Sequence, residues 1–289
     1  MQNLRALRQR IRSVESTKKI TRAMQMVAGA KLRRLQGEYV SFKPYAQRLA
    51  GMTQRFLAAH PEFQHPLLEQ TKRGQTLEGQ TPPVGLIVVS SDTGLCGTYN
   101  ERVSEAAQRF LQENPTRLVV TIGKKANRVI SRQGIPRAKE ILDWGGRLDP
   151  GKAAALASWM RELYLGGQVS GWWIAATEFI SALSWKASVS RLLPVERPAP
   201  VSFPERIITE PGRKAFGDEL LHRFVDSQFS WRLLSAFTAE HSARMIAMKN
   251  ATENASEMID HLTLVRNKAR QAYITKELIE VVSGAEALK

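Results

Sequence analysis

One cysteine, Cys96, stands in 289 residues, so no disulfide can form within the chain and a cross-linked scaffold is excluded. That usage fits a reducing compartment. No apolar run approaches the ~20 residues that cross a bilayer as a helix, and the arginine-studded N-terminus lacks the apolar centre of a signal peptide. The expectation is a soluble, cytoplasmic protein without membrane insertion. Acids are scarce at the start: the first 36 residues hold ten lysines and arginines against Glu15 alone. Glycine and proline are missing altogether between Gly217 and Gly284.

That last absence decides the architecture. A helix through those 66 residues would run roughly 100 Å at ~1.5 Å per residue, several times the width of a small domain. Phe237, His241, Arg244, Met248, Ala251, Ala255, Met258, Leu262, Val265, Ala269 and Ala272 step by four and three, the pattern of a coiled-coil seam. The N-terminal segment is also helical, with Leu4, Leu7, Ile11 and Val14 in register, then Ile20, Met24 and Val27 after a slip, and a kink at Pro44.

Between them the pattern changes. "VGLIVV" is a strand, "DTGLCG" a turn and Asn100 to Glu113 a helix. "RLVVTIG" followed by "KKANRVISRQG" repeats the order. A helix from Lys152 to Leu165 precedes strands at "GWWIAATEF" and "SWKASVSRLLPV". Alternation of this kind predicts an α/β domain with a largely parallel, Rossmann-like sheet. The expected organisation is a helix over 1–57, a linker over 58–83, an α/β domain over 84–212 and a helix over 213–289, with the two outer helices paired antiparallel. If both helices leave the domain at one level, the longer C-terminal one overhangs, and Ile279, Val281, Val282 and Leu288 mark a contact with another protein or a membrane. The alternative is that the N-terminal helix starts higher, or that the tip frays.

Chemistry is hard to find. "DTGLCGTYN" has glycines between strand and helix but lacks the lysine and hydroxyl of a phosphate loop and the spacing of a dinucleotide fingerprint, so a tight turn is expected. The histidines at 60, 65, 222, 241 and 261 have no cysteine or clustered acid at zinc-ligand spacing. Cys96 is expected as a buried small side chain. The net charge of +15 calls for an acidic partner. A basic coiled coil that binds nucleic acid is one reading, although no aromatics interleave with the basic run; an acidic protein collar around the helices is the other.

"STKKITRAMQMVAGAKLRR", "SSDTGLCGTYN" and "EHSARMIAMKNATENASEMIDHLTLVRNKARQAYITKELIEVVSGAEAL" closely resemble the γ subunit of F-type ATP synthases, in that family's order and spacing. The resemblance implies a central rotor stalk: the terminal helices form a coiled coil inside a hexamer of α and β subunits, and the α/β domain sits on the ring of c subunits beside ε. It implies torque transmission with no catalytic residue, metal or cofactor of its own, no nucleic acid, nucleotide chemistry on β, and a peripheral place on the cytoplasmic face of a bacterial or archaeal membrane. Carried over residue by residue, it implies stator contacts at Met24, Arg244, Arg270, Gln271 and Thr275, and an upper-sleeve tip that includes Val281, Val282 and Leu288. Where the family has tyrosines before "EP", this chain has Ile207 and Thr209, with Glu210 retained; these three are the expected c-ring and ε contacts. That departure, with Arg266, marks the chain as divergent.

Overall fold

The structure, a computed structural model, describes residues 4–68, 82–114, 117–198 and 207–286. Two long helices, α1 (Leu4–Ala59) and α5 (Arg213–Glu286), enclose in chain order β1 (Val84–Val89), α2 (Tyr99–Glu113), β2 (Arg117–Ile122), α3 (Lys124–Arg132), β3 (Arg137–Ile141), α4 (Pro150–Leu165), β4 (Gly171–Ser181) and β5 (Ser184–Leu193). Helix α1 is helical straight through Pro44. Among the described residues no helix is long and apolar enough to cross a membrane.

The chain divides into two compact units. The larger, residues 29–244, holds a five-stranded sheet in the order β3-β2-β1-β4-β5. Strands β1, β2, β3 and β4 are parallel to their neighbours, and β5 pairs antiparallel to β4. Because alternate side chains point to opposite faces, Leu86 and Val88 pack with Val103, Ala107 and Leu111 of α2 and Ala126 and Ile130 of α3. Ile87 and Val89 face the other way, into a core shared with Leu156 and Met160 of α4, Phe56 of α1 and Leu221 to Phe237 of α5. A strand covered on both faces needs a continuous apolar run, which "VGLIVV" supplies. Gly85 lets the Trp172 ring lie on the strand, since a Cβ there would fall 2.4 Å from it. The buried indole N–H of Trp172 donates to Met160 O at 2.9 Å.

In the same unit α1 and α5 are joined to β4. Tyr39 of α1 stacks on Trp231 of α5 with centroids 4.2 Å apart, and its hydroxyl donates to Phe179 O at 3.2 Å. Ser235 accepts from Phe179 N at 2.7 Å, and Ser242 donates to Ala182 O at 2.5 Å. From residue 233 to 244 every residue of α5 is buried.

The smaller unit, residues 1–28 and 245–289, is an antiparallel helix pair. Leu7 and Ile11 meet Leu262, flanked by Val14, Val265 and Ala269, and the Thr21 and Thr252 hydroxyls bond at 2.9 Å. Residue numbers therefore fall on one helix as they rise on the other. The more buried stripe of α1 runs 7, 11, 14, 18, 21, 25, 28 and that of α5 runs 248, 252, 255, 259, 262, 266, 269. Both keep unbroken steps of four and three, the seam of a coiled coil.

Several expectations change. The slip in α1 does not exist: Lys18 and Thr21 occupy seam positions, and Ile20 and Val27 are each 58% exposed. Met258 lies off the seam at 46% exposed, and Ile259 takes its place. Phe237, His241 and Arg244 belong to the larger unit, not to the helix-pair seam. Of the residues expected as linker, 58–59 close α1, and Pro66–Leu68 form a 3-10 turn that buries Leu67 in the core with Phe63; 69–81 lie outside the described residues. Strand β3 was not expected at all.

Candidate functional site

The loop after β1 was the one motif that invited a binding role, and its geometry answers what it holds. Leu95 and Gly97 both adopt positive φ, at 61° and 56°, folding the chain back within a few residues. Asn100, in the first turn of α2, accepts from Ser91 N at 3.0 Å and donates to the buried Cys96 sulfur at 3.0 Å. Burial pushes the Cys96 thiol up, so it stays protonated. The Asp92 carboxylate accepts from the backbone N–H of Lys124, Asp143 and Gly145, each at 3.2 Å. One acid thus fixes the start of α3 and the loop that leads to α4.

The loop turns carbonyl oxygens, not amides, toward its partner, and that partner is a cation of this same chain. Arg244 of α5 donates to Gly94 O at 3.3 Å, to Thr93 O at 3.1 Å and to Thr93 Oγ1 at 3.0 Å. It also donates to Glu240 at 2.7 Å and to His241 Nδ1 at 3.3 Å. These five bonds match the five N–H groups of a guanidinium. The Arg244 side chain, 7% exposed, is spent inside the larger unit.

Its neighbours follow from that. His241 Nδ1 faces a group that can only donate, so the ring is neutral with its proton on Nε2, which donates to Gly146 O at 3.2 Å. Burial, then Arg244 and Lys31, depress its pKa to about 4. Burial pushes the Glu240 carboxyl above the usual carboxylate range, with Arg244 and Lys31 pulling the other way. Gly146 has φ +63°, and a Cβ there would meet His241 Nε2 at 2.9 Å, so glycine is required where the loop touches the helix. The whole forms a clamp: motif loop, Asp92, the 143–146 loop and α5 locked through buried polar bonds.

Of the other expected residues, Met24, Arg270, Gln271 and Thr275 belong to the smaller unit and Ile207, Thr209 and Glu210 to the larger. Met24 is half-buried beside the helix seam. Arg270, Gln271 and Thr275 are exposed, and the Thr275 hydroxyl bonds back to Gln271 O of its own helix at 3.0 Å. From Gln271 to Gly284 every residue is exposed. Ile274, Leu278, Ile279, Val281 and Val282 are among them, with Val281 at 69%. Leu288 lies outside the described residues. Ile207 and Thr209 are half-buried and Glu210 is exposed, ahead of α5. Among the described residues no group of three or more histidines, cysteines or acids is placed to hold a metal.

Sequence reasoning missed the clamp. Its available signal was a glutamate four residues before an arginine at the end of a stretch, 233–244, that holds no other acid, lysine or arginine, where a charge has little reason to sit unless another element receives it.

A family model described as ATP synthase matches residues 3–288. An ATP synthase gamma chain from Anaeromyxobacter sp. (strain Fw109-5) is 42% identical over 302 residues, covering all of both chains. The chain belongs to the ATP synthase gamma-chain family. A gamma chain from Pelotomaculum thermopropionicum is 38% identical over the full length of both. Among solved structures, a chain of the Euglena gracilis mitochondrial ATP synthase, OSCP/F1/c-ring, in rotational state 3, covers 99% of this gamma chain at a TM-score of 0.67 and 17% identity. A chain of the Tetrahymena thermophila mitochondrial ATP synthase central stalk and c-ring gives 0.60 at 22% identity, covering 80% of this chain. At such identities these two carry the fold alone. The gamma-chain match includes the basic N-terminal run, so nothing remains for a nucleic-acid reading to explain.

Proposed function

We propose that this gamma chain is the central rotor stalk of an F-type ATP synthase, carrying torque between a membrane ring of c subunits and a catalytic hexamer of α and β subunits. The chain supplies no catalytic group; nucleotide chemistry belongs to β, and the stalk works at the cytoplasmic face of the membrane without entering it. The observation that carries the reading is the full-length match to gamma chains, basic run and exposed C-terminal end included.

The labour divides between regions of the chain. A shaft must not slip in its hub, and Arg244 with Glu240, His241 and the Thr93–Gly94 carbonyls supplies a buried, directional lock. We therefore assign Arg244 to holding α5 in its own α/β unit, a different task from the stator contact that the resemblance implies. Arg270, Gln271, Thr275 and Met24 are assigned to contacts with β; a charge-assisted bond from Arg270, of about 1.5–3 kcal/mol, favours one angular position without freezing it. The apolar side chains of 278–282, with Leu288, are assigned to a surrounding sleeve, where non-directional contacts hold a shaft while it turns. Ile207, Thr209 and Glu210 are assigned to the c ring and ε. Rotation would then shift the conformational population of each catalytic site in turn.

Co-expression tests this. The chain, produced with α and β of its own complex, is expected to co-purify with the hexamer and to raise ATPase turnover over α and β alone. A hexamer that forms and hydrolyses ATP identically without it would overturn the proposal.

A further inference from the structure

Beside the clamp the larger unit carries a solvent-open cavity of about 440 Å³, whose walls come from α1, the loop before α4, the start of α4, and His241 of α5. Its charges are unbalanced. Lys31, Arg147 and Lys152 line it, all exposed, and none forms an ion pair among the described residues. Arg34 pairs with Glu38 at 3.1 Å and Asp143 with Lys124 at 2.6 Å; Asp149 caps α4 by accepting from Lys152 N at 3.1 Å and keeps its negative charge in the wall. His241 adds no positive charge, being neutral. Trp144 forms part of the wall and is buried, and its indole N–H, closed to solvent, has no acceptor among the described residues. Buried donors normally find partners.

We propose that this cavity binds a small oligophosphate anion, with Lys31, Arg147 and Lys152 as its ligands. With the Arg34–Glu38 and Lys124–Asp143 pairs set aside, Lys31, Arg147 and Lys152 outnumber the Asp149 carboxylate in the wall, and an excess of positive charge around a volume at the small end of ligand-pocket sizes suits a compact group carrying several negative charges. Phosphate oxygens accept from arginine in a fork and from lysine as a point charge, so both side-chain types find a use. The three cations come from α1, the 143–149 loop and α4, so a bound anion would bridge those elements. It would close the loop onto Lys31 and reinforce the Gly146–His241 contact. Free pyrophosphate and the phosphate tail of a nucleotide share this chemistry.

Calorimetric titration of the purified full chain with pyrophosphate at physiological salt tests the proposal, with a parallel titration of ADP to identify the source. A chain of this charge attracts anions everywhere, so two triple variants are compared. One is Lys31→Gln, Arg147→Gln, Lys152→Gln at the cavity; the other is Arg8→Gln, Arg12→Gln, Lys19→Gln in the basic run of α1. All six side chains are exposed, so both variants should melt like the parent without ligand. The expected result is one saturable site, weakened about tenfold or more by the cavity variant and unchanged by the other. Tighter binding of pyrophosphate than of ADP would mark free oligophosphate as the ligand, and the reverse a nucleotide tail. Absence of saturable binding, or equal loss in both variants, would overturn it.

Discussion

Helix α5 carries two stretches that differ in every respect except their backbone. From 233 to 244 all side chains are buried, small residues alternate with Phe237, and each polar group examined at the clamp has a partner of the same chain. From 271 to 284 all side chains are exposed, apolar ones included, and the hydrogen bond of Thr275 stays within its own helix. A helix of good formers needs tertiary packing to persist in water, so the first stretch is self-sufficient and the second is built for company. One region should thus respond to mutation through stability, the other through assembly and coupling.

The largest expected effect follows from removing the clamp's centre. Arg244→Ala leaves Glu240 buried without its partner and the other four acceptors unserved, and should cost about 3–5 kcal/mol. Urea unfolding of the full chain reads this, and a loss below about 1 kcal/mol would erase the contrast between the two stretches. Arg244→Lys should recover little, because a single ammonium cannot serve Thr93, Gly94 and Glu240 at once. Next in size is Gly146→Ala, in which both the φ of +63° and the 2.9 Å approach to His241 resist a Cβ. About 1–2 kcal/mol is expected, and a neutral outcome would mean that the loop moves away freely.

Acid sharpens the comparison. His241 titrates at about 4 in the native chain against an ordinary 6.5, so the native state binds fewer protons across that interval. Its contribution is complete above pH 6.5 and is lost as pH falls toward 4, by about 3 kcal/mol. Glu240 acts in the opposite sense: its raised pKa lets the native state keep a proton longer, so its share is lost as pH rises above the ordinary carboxylate value. His241→Gln removes the first effect and leaves the second. The urea midpoint of the parent should fall from pH 6.5 to 4.5, and that of the variant should fall less; parallel slopes would contradict the buried neutral imidazole.

The smallest stability effect belongs to the exposed end. Arg270→Glu and Val281→Ser should each change unfolding free energy by less than about 0.5 kcal/mol, yet lower the ATPase turnover of a hexamer assembled with the chain. Stability loss equal to that of the clamp variants would contradict the division.

Much of this was legible in residues. The gap without glycine or proline announced α5, and "VGLIVV", "RLVVTI" and "GWWIAATEF" announced the sheet centre, because strands covered on both faces must be apolar throughout. Strand β3, "RAKEI", was not legible: it lies at the sheet edge with its middle residues exposed, so it carries no hydrophobic signal. The α1 seam was obscured because Lys18 and Thr21 stand in it, whereas Ile20 and Val27, which read as seam, face outward. Arg244 and His241 kept the heptad spacing and were counted with the coiled coil. Periodicity gives the face of a helix, but not which element covers that face, and here it is the motif loop and the 143–146 loop.

The central claim is that this chain turns inside a hexamer. A hexamer of its own α and β subunits, fixed to glass, with a bead attached to an engineered surface cysteine in the α/β unit, tests it most directly by video of the bead under ATP. Steady rotation in one direction that stops when ATP is removed is the predicted result. Sustained ATP hydrolysis by the same fixed complexes with a stationary bead would contradict it.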